Sequence, residues 1–283
     1  MEFYKAHGLA NDFIIINAMA AVDYRQLARE ICARHTSVGA DGLLVLALDD
    51  KTAQFSLRFF NSDGSEAEMS GNGIRCAAAV LYETGRAHDE RITITTRAGV
   101  KTLILEGHTG THYDFTVMVG QPGFKPAEIP IHIDEELARV VAYPLVISDQ
   151  ETITITALST GNPHCTIFVE DFNQLDWRRL GACLECHSAF PNRSNVEFVR
   201  ILSRNKIEAR FWERGAGETE SSGTGSCAAA IAAMINGYTD RRVDVQTPAG
   251  ELTVAWQDDA GILLTGPAEI VCQGHYFFCD KRG

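Results

Sequence analysis

Short apolar runs dominate the chain, and most repeat every two residues or are continuously apolar over five to eight positions, the patterns of strands. "FIIINA", "GLLVLAL", "FSLRFFN", "RITITTRAG" and "VKTLILEG" read as strands in the first third, the last two joined by a turn at Ala98 and Gly99. A helical period appears in "DYRQLAREICARH", where Leu27, Ala28, Ile31 and Cys32 form one apolar stripe. The segment "IPIHIDEELARVVAYPLVI" carries prolines and reads as a connection. "TITITALST", "CTIFVED", "NVEFVRIL", "KIEARFWERG", "RRVDVQTPAG" and "ELTVAW" then follow as strands. Many strands with few helices predict an α+β chain.

One pattern occurs twice. "SGNGIRCAAAVLYETG" begins at Ser70 and "SGTGSCAAAIAAMING" at Ser222, and each ends fifteen positions later, at Gly85 and Gly237. In both, glycines at the second and fourth positions permit a tight turn, an alanine-rich helix follows, and the closing glycine suits a left-handed C-cap. The two serines are 152 positions apart, about one domain, so the repeat predicts two similar halves.

Composition narrows the partners. The net charge of −12 argues against a grip on nucleic acid, which needs clustered Lys and Arg. The longest apolar runs, such as "CAAAIAAMI", fall short of the roughly 20 residues that cross a bilayer, so no membrane partner is expected. The start, "MEFYKAHGLANDFIIINA", does not resemble a signal peptide. Eight cysteines without an export signal read as reduced thiols and imply a cytoplasmic location. "CLECH", from Cys183 to His187, matches a haem-attachment pattern; the alternative is a loop or helix end with two incidental thiols. His108 and His112 lie in the turn-rich "GHTGTHY", and no metal site is expected.

The first-turn N–H groups of a helix lack intrahelical acceptors and carry partial positive charge. Two such termini facing one cleft between the halves would attract a carboxylate and stabilise the anion formed when a proton leaves an amino acid's α-carbon. With an acid/base group on each side of that carbon, configuration inverts and no cofactor is required. A serine before a glycine-rich helix start is also a common N-cap, satisfying one orphan N–H and nothing more. Neither cassette is a Walker or Rossmann motif.

The chain resembles the diaminopimelate epimerase family nearly end to end, through "HGLANDF", "VGADG", "FFNSDGSEAEMSGNGIRC", "GNPHC", "FPNRSNVEFV", "WERGAGETESSGTGSCAAA" and "LTGPAE". The resemblance implies two pseudo-symmetric α+β domains, 1–119 with a returning segment 268–283, and 120–267, with the active site in the cleft between them. It implies cofactor-independent interconversion of LL- and meso-diaminopimelate in the lysine and peptidoglycan precursor pathway, and homodimerisation. By the same resemblance Ser70 and Ser222 occupy the catalytic acid/base positions, and His164 and Glu213 orient the reacting group. Asn11, Asn61, Asn162, Asn195, Glu213 and Arg214 would bind the amino-acid substrate, and the backbone at Gly71, Asn72, Gly223 and Thr224 its α-carboxylate.

Ser70 and Ser222 depart from that pattern, because similar enzymes carry a cysteine at each position. A thiol titrates near 8.5, lower at a helix N-terminus, whereas a hydroxyl keeps its proton unless a base activates it. Cys76 and Cys227 lie more than a helical turn downstream and read as buried structural thiols. Three accounts follow: an epimerase whose cysteines were replaced to give a substrate-trapping form; a natural serine variant, slow or acting on another amino acid or small carboxylic acid; or an amino-acid-binding protein without turnover. Ala10 stands where the family often has glycine, and Gly42 where some relatives carry a glutamine contact.

Overall fold

The computed structural model describes residues 1–49, 54–133, 137–148 and 150–277. The chain divides into two compact units, Met1–Val117 with Gly266–Gly283, and Met118–Thr265. Of the connection read from the sequence, 134–136 lie outside the described residues, as do 278–283 of the expected returning segment.

The first unit contains β1 (Glu2–Gly8), β2 (Asn11–Asn17), α1 (Tyr24–Ile31), β3 (Gly42–Asp49), β4 (Gln54–Asn61), β5 (Glu66–Ala67), α2 (Gly71–Glu83), β6 (Arg91–Thr96), β7 (Gly99–Thr109) and most of β8 (His112–Gly120). The second contains β9 (Val140–Ser148), β10 (Glu151–Ser159), β11 (Pro163–Phe168), α3 (Trp177–Glu185), β12 (Asn195–Ser203), β13 (Lys206–Glu213), β14 (Gly217–Thr219), α4 (Gly223–Ile235), β15 (Arg242–Thr247), β16 (Gly250–Gln257) and the start of β17 (Gly261–His275). From Glu269 to His275, β17 pairs antiparallel with β1.

The duplication extends to strand pairing. In the first unit β1–β2 is antiparallel, β2–β3 parallel, β3–β4 antiparallel, β4–β6 parallel and β6–β7 antiparallel. The second repeats that order with β10–β11, β11–β12, β12–β13, β13–β15 and β15–β16. In each a short strand, β5 or β14, pairs antiparallel with β4 or β13 immediately before the glycine-started helix. The parallel steps cross over through a helix, as parallel pairing requires.

Alternation explains the continuous apolar runs. In β2, Phe13 and Ile15 join the core around α2, while Ile14 and Ile16 join the core around α1. A strand covered on both faces reads as an unbroken apolar run. In the second unit Cys165, Ile167, Val196 and Phe198 pack with Trp177, Leu180 and Leu184 of α3. The residues between them, His164, Thr166, Asn195 and Glu197, therefore point to the opposite face. Helix α4 packs on β10 to β13, with Gly225 so close to Phe211 that a Cβ would lie 2.9 Å from its ring.

Several sequence expectations need correction. The turn between β6 and β7 is at Arg97 and Ala98, and Gly99 (φ 88°) already belongs to β7. His108 and His112 sit at the ends of the β7–β8 hairpin strands, with His108 stacked on Tyr113. Part of the proline-bearing connection is β9, paired to β10 through Pro144 opposite Thr154. The fixed φ of proline is compatible with an extended strand and costs only one donor. Ala142, at φ 49°, marks a bulge there. Cys183 lies in the last turn of α3 and Cys186 at its C-cap, so "CLECH" is a helix end. No helix among the described residues is long and apolar enough to cross a membrane.

Candidate active site

In the first unit β5 leads into Ser70, the N-cap of α2, with extended backbone at φ −135°, ψ 126°. Its Oγ accepts the Gly73 N–H at 3.1 Å. A Cβ on Gly73 would lie 3.1 Å from Phe59 and 3.2 Å from Ser70 Cβ, so glycine lets the first turn press onto the sheet. Among the described residues, no carboxylate hydrogen-bonds the Ser70 hydroxyl.

Asn72 and Asn11 are brought together. The Asn72 amide donates to Asn11 Oδ1 at 3.3 Å, and Asn11 Nδ2 donates to Asp41 Oδ2 at 2.9 Å. Arg75, fully buried, donates to Asn72 Oδ1 at 2.8 Å, to the Gly71 carbonyl at 3.0 Å and to the Pro267 carbonyl at 3.0 Å. It thereby fixes which end of the Asn72 amide faces Asn11. Arg34 bridges Asp12 and Asp41 at 2.8 and 2.7 Å. Partial burial would raise the Asp12 carboxyl, but hydrogen bonds from Arg34 and Lys5 hold it below the ordinary value. Asn61 is the cross-strand partner of Gly42, next to Asp41, and its Nδ2 donates to Ser65 Oγ at 2.9 Å.

In the second unit Ser222 caps α4 with nearly the same backbone, φ −134°, ψ 123°, and its Oγ accepts the Gly225 N–H at 3.1 Å. Here the hydroxyl also donates to Glu213 Oε2 at 3.2 Å, while Thr219 Oγ1 donates to Glu213 Oε1 at 2.7 Å. Burial of the carboxyl raises its pKa, against the opposing pull of the Thr219 and Ser222 hydrogen bonds and of His164. Ser222 thus faces a carboxylate with heightened proton affinity, whereas Ser70 serves as a cap.

The remaining predicted residues of this unit are tied to one another and to the backbone beside Glu213. Asn195 Oδ1 accepts the Arg214 N–H at 3.0 Å, its Nδ2 donates to the Pro163 carbonyl at 2.9 Å, and Arg214 Nη1 donates to the Asn192 carbonyl at 3.1 Å. Nε2 of the fully buried His164 lies 2.9 Å from Asn162 Oδ1. Gly223 and Thr224 occupy the first turn of α4, and Gly71 and Asn72 that of α2, where N–H groups have no intrahelical acceptor. Cys76 and Cys227 are buried, and burial pushes the Cys76 thiol up to about 12, which rules it out as a substitute base.

The contributors not singled out in the sequence are the Asp12, Asp41, Arg34 and Lys5 cluster beside Asn11; Arg75; Thr219; Glu197, against His164; and Glu185, which accepts from the Gly215 N–H at 2.8 Å and Trp212 Nε1 at 2.9 Å. Charged residues at inward positions of otherwise apolar strands and helices were the available signal for Arg75 and Glu197.

Two units of one topology, each opening a helix from a capping serine, define a duplicated α+β class. The same fold is found in a phenazine biosynthesis protein of the PhzF family from Bacillus anthracis (TM-score 0.69, 15% identity, 98% of this chain and 99% of that one). It is also found in a hydroxyproline epimerase from Agrobacterium vitis (TM-score 0.68, 14% identity, 97% and 91%). Within that class the sequence is specific: the family model for diaminopimelate epimerase matches residues 3–125 and 156–271. Diaminopimelate epimerases from Pelotomaculum thermopropionicum and Desulfitobacterium hafniense are 45% and 42% identical, covering 98% and 97% of this chain and 99% and 97% of their own lengths. The chain belongs to the diaminopimelate epimerase family, isomerases that epimerise an amino acid without pyridoxal phosphate.

Proposed function

We propose that the chain binds diaminopimelate and carries the LL-to-meso epimerase site, with Ser70 and Ser222 at the two acid/base positions and turnover held low by the two hydroxyls. The observation that carries this reading is the matched pair of capped helix starts, with the same backbone and the same Oγ-to-Gly N–H bond in both units. The first-turn N–H groups suit an α-carboxylate, and Asn11, Asn72, Asn162, Asn195, Glu213 and Arg214 supply the donors and acceptors a zwitterion needs. Asn61 belongs to the same proposed set. His164 and Glu213 act as the orienting pair. Glu213 supports Ser222 as the better-activated position, since a hydroxyl becomes a useful base or nucleophile only beside such a group. A cytoplasmic location and a homodimer are part of the same proposal.

The test is α-proton exchange in deuterated water with LL-diaminopimelate, comparing the chain as given with its Ser70→Cys/Ser222→Cys form. The cysteine form is expected to take up deuterium and produce the meso isomer, and the serine form to exchange at least about 100-fold more slowly, within the usual worth of general acid/base groups. Equal rates would overturn the role given to the hydroxyls; no exchange by either form would overturn the substrate. A second reading, an amino-acid-binding protein without turnover, is favoured by the purely capping contact of Ser70. It predicts saturable binding with no exchange by the serine form.

A further inference from the structure

The Nε2 edge of His164 meets Asn162, and the ring's other nitrogen meets Glu197, a buried partner whose effect on the ring decides what His164 can do. Parallel pairing of β11 with β12 puts His164 opposite Asn195 and Thr166 opposite Glu197, and all four side chains share one face of the sheet. Glu197 and His164 are both buried, and Glu197 Oε1 is 2.6 Å from His164 Nδ1. Its other oxygen accepts from Thr166 Oγ1 at 3.3 Å.

At the opposite edge of the ring, Nε2 lies 2.9 Å from Asn162 Oδ1 and 3.0 Å from Thr160 Oγ1. Thr160 spends its own proton on Asn162 Oδ1, at 3.1 Å. With that proton on Asn162, both neighbours of Nε2 are acceptors, and a protonated Nε2 satisfies them. A carboxyl and an imidazole nitrogen at 2.6 Å must share one further proton. The pair then holds two protons and no net charge, which is how a buried His and Glu avoid the penalty for an isolated buried ion.

We propose that Glu197 is a positioning residue for the epimerase site: it takes up the Nδ1 side of His164, so that the ring presents an N–H from Nε2 towards Thr160 and Asn162. His164 is then a hydrogen-bond donor to the site rather than a proton acceptor. Its contribution is to steady the Asn162 amide and developing negative charge. The consequence for turnover rests on the epimerase reading, whereas the placement of the two protons does not.

The experiment is nitrogen-15 NMR of histidine-labelled full-length protein, read between about pH 6 and about pH 8, the range in which an ordinary histidine changes charge. In the chain as given, His164 Nε2 should show the protonated signature and Nδ1 a far-downfield shared proton. That shared-proton signal should disappear in Glu197→Leu and in Glu197→Gln, either of which suffices if the other fails to fold. An Nε2 with a free lone pair, or a shared proton that survives both substitutions, overturns the assignment. In the Ser70→Cys/Ser222→Cys protein, adding Glu197→Gln should slow α-proton exchange about tenfold or more, as losing a tautomer-holding carboxylate does elsewhere. Half-saturation should move less than about twofold. An unchanged exchange rate overturns the positioning role. Absence of exchange in the parent cysteine form instead overturns the substrate reading, leaving the NMR result to judge Glu197.

Discussion

Single residues show what backbone and packing ask of two positions at which the family resemblance implies a different side chain, Ala10 and Gly42. Leu9 and Ala10 both lie in the left-handed region, at φ 53° and 61°, forming the two-residue turn between β1 and β2. Such hairpin turns favour glycine because a Cβ is penalised there by about 1–2 kcal/mol. The same preference is the physical ground for the glycine that the family resemblance leads one to expect at position 10. Ala10→Gly is expected to stabilise the protein by about 0.5–1 kcal/mol, raising the thermal midpoint in a melt of the two forms side by side; no change would show that the turn has relaxed around alanine. At Gly42 the reverse holds, since a Cβ would sit 2.8 Å from the Phe60 carbonyl and 3.4 Å from the Phe13 ring. A glutamine contact at this place would require the β3–β4 pair to shift.

At the level of elements, the two cassettes are complete capped helices. Serine closes each start and a left-handed glycine each end, Gly85 at φ 63° and Gly237 at φ 76°. Serine is among the preferred N-caps and cysteine is not, so the groups that would do acid/base chemistry best are not those that hold the helix best. Ser70→Cys/Ser222→Cys should therefore lose about 0.5–1 kcal/mol of stability at each cap, measurable as a lower urea midpoint at unchanged slope. Equal midpoints would mean that the thiols cap as well as the hydroxyls. The same helices explain Cys76 and Cys227: facing the core, each is a small apolar filler.

Over the whole molecule, the ionisable groups pull stability in opposite directions with pH. Burial raises the Glu197 and Glu213 carboxyls above 4.5. Between that value and their native values the folded chain binds more protons than the unfolded one, so the stability they contribute falls as pH rises. Asp12 and Glu66 behave oppositely: burial pushes Asp12 upward while Arg34 and Lys5 more than offset it, and hydrogen bonding to Arg58 lowers Glu66. The stability from these two is present above the ordinary carboxylate range and lost as pH falls through their native values. Unfolding followed in urea from about pH 5 to about pH 8 should show Glu213→Gln with a flatter decline than the parent; an identical decline would mean that Glu213 titrates alike in both states.

Much of the design was legible in the sequence because it is written in local patterns. Strand runs, the two serine-to-glycine cassettes and the long family motifs each depend on neighbouring residues and on backbone preferences that act at short range. The chain order alone thus determined the α+β class, the duplication and both serine positions. What it left undetermined depended on which residues the strand pairing made neighbours. Only the parallel register of β11 with β12 put Glu197 against His164, and only the fold brought Arg75 against Pro267, 192 positions away. The difference between the two serines also arose in tertiary structure, because β13 and β14 carry Glu213 and Thr219 to Ser222, a neighbourhood the capping sequence does not encode. Helix caps are local hydrogen bonds and can be read residue by residue, whereas the proton affinity of a buried carboxyl is set by what folding removes from water and by which side chains it places alongside.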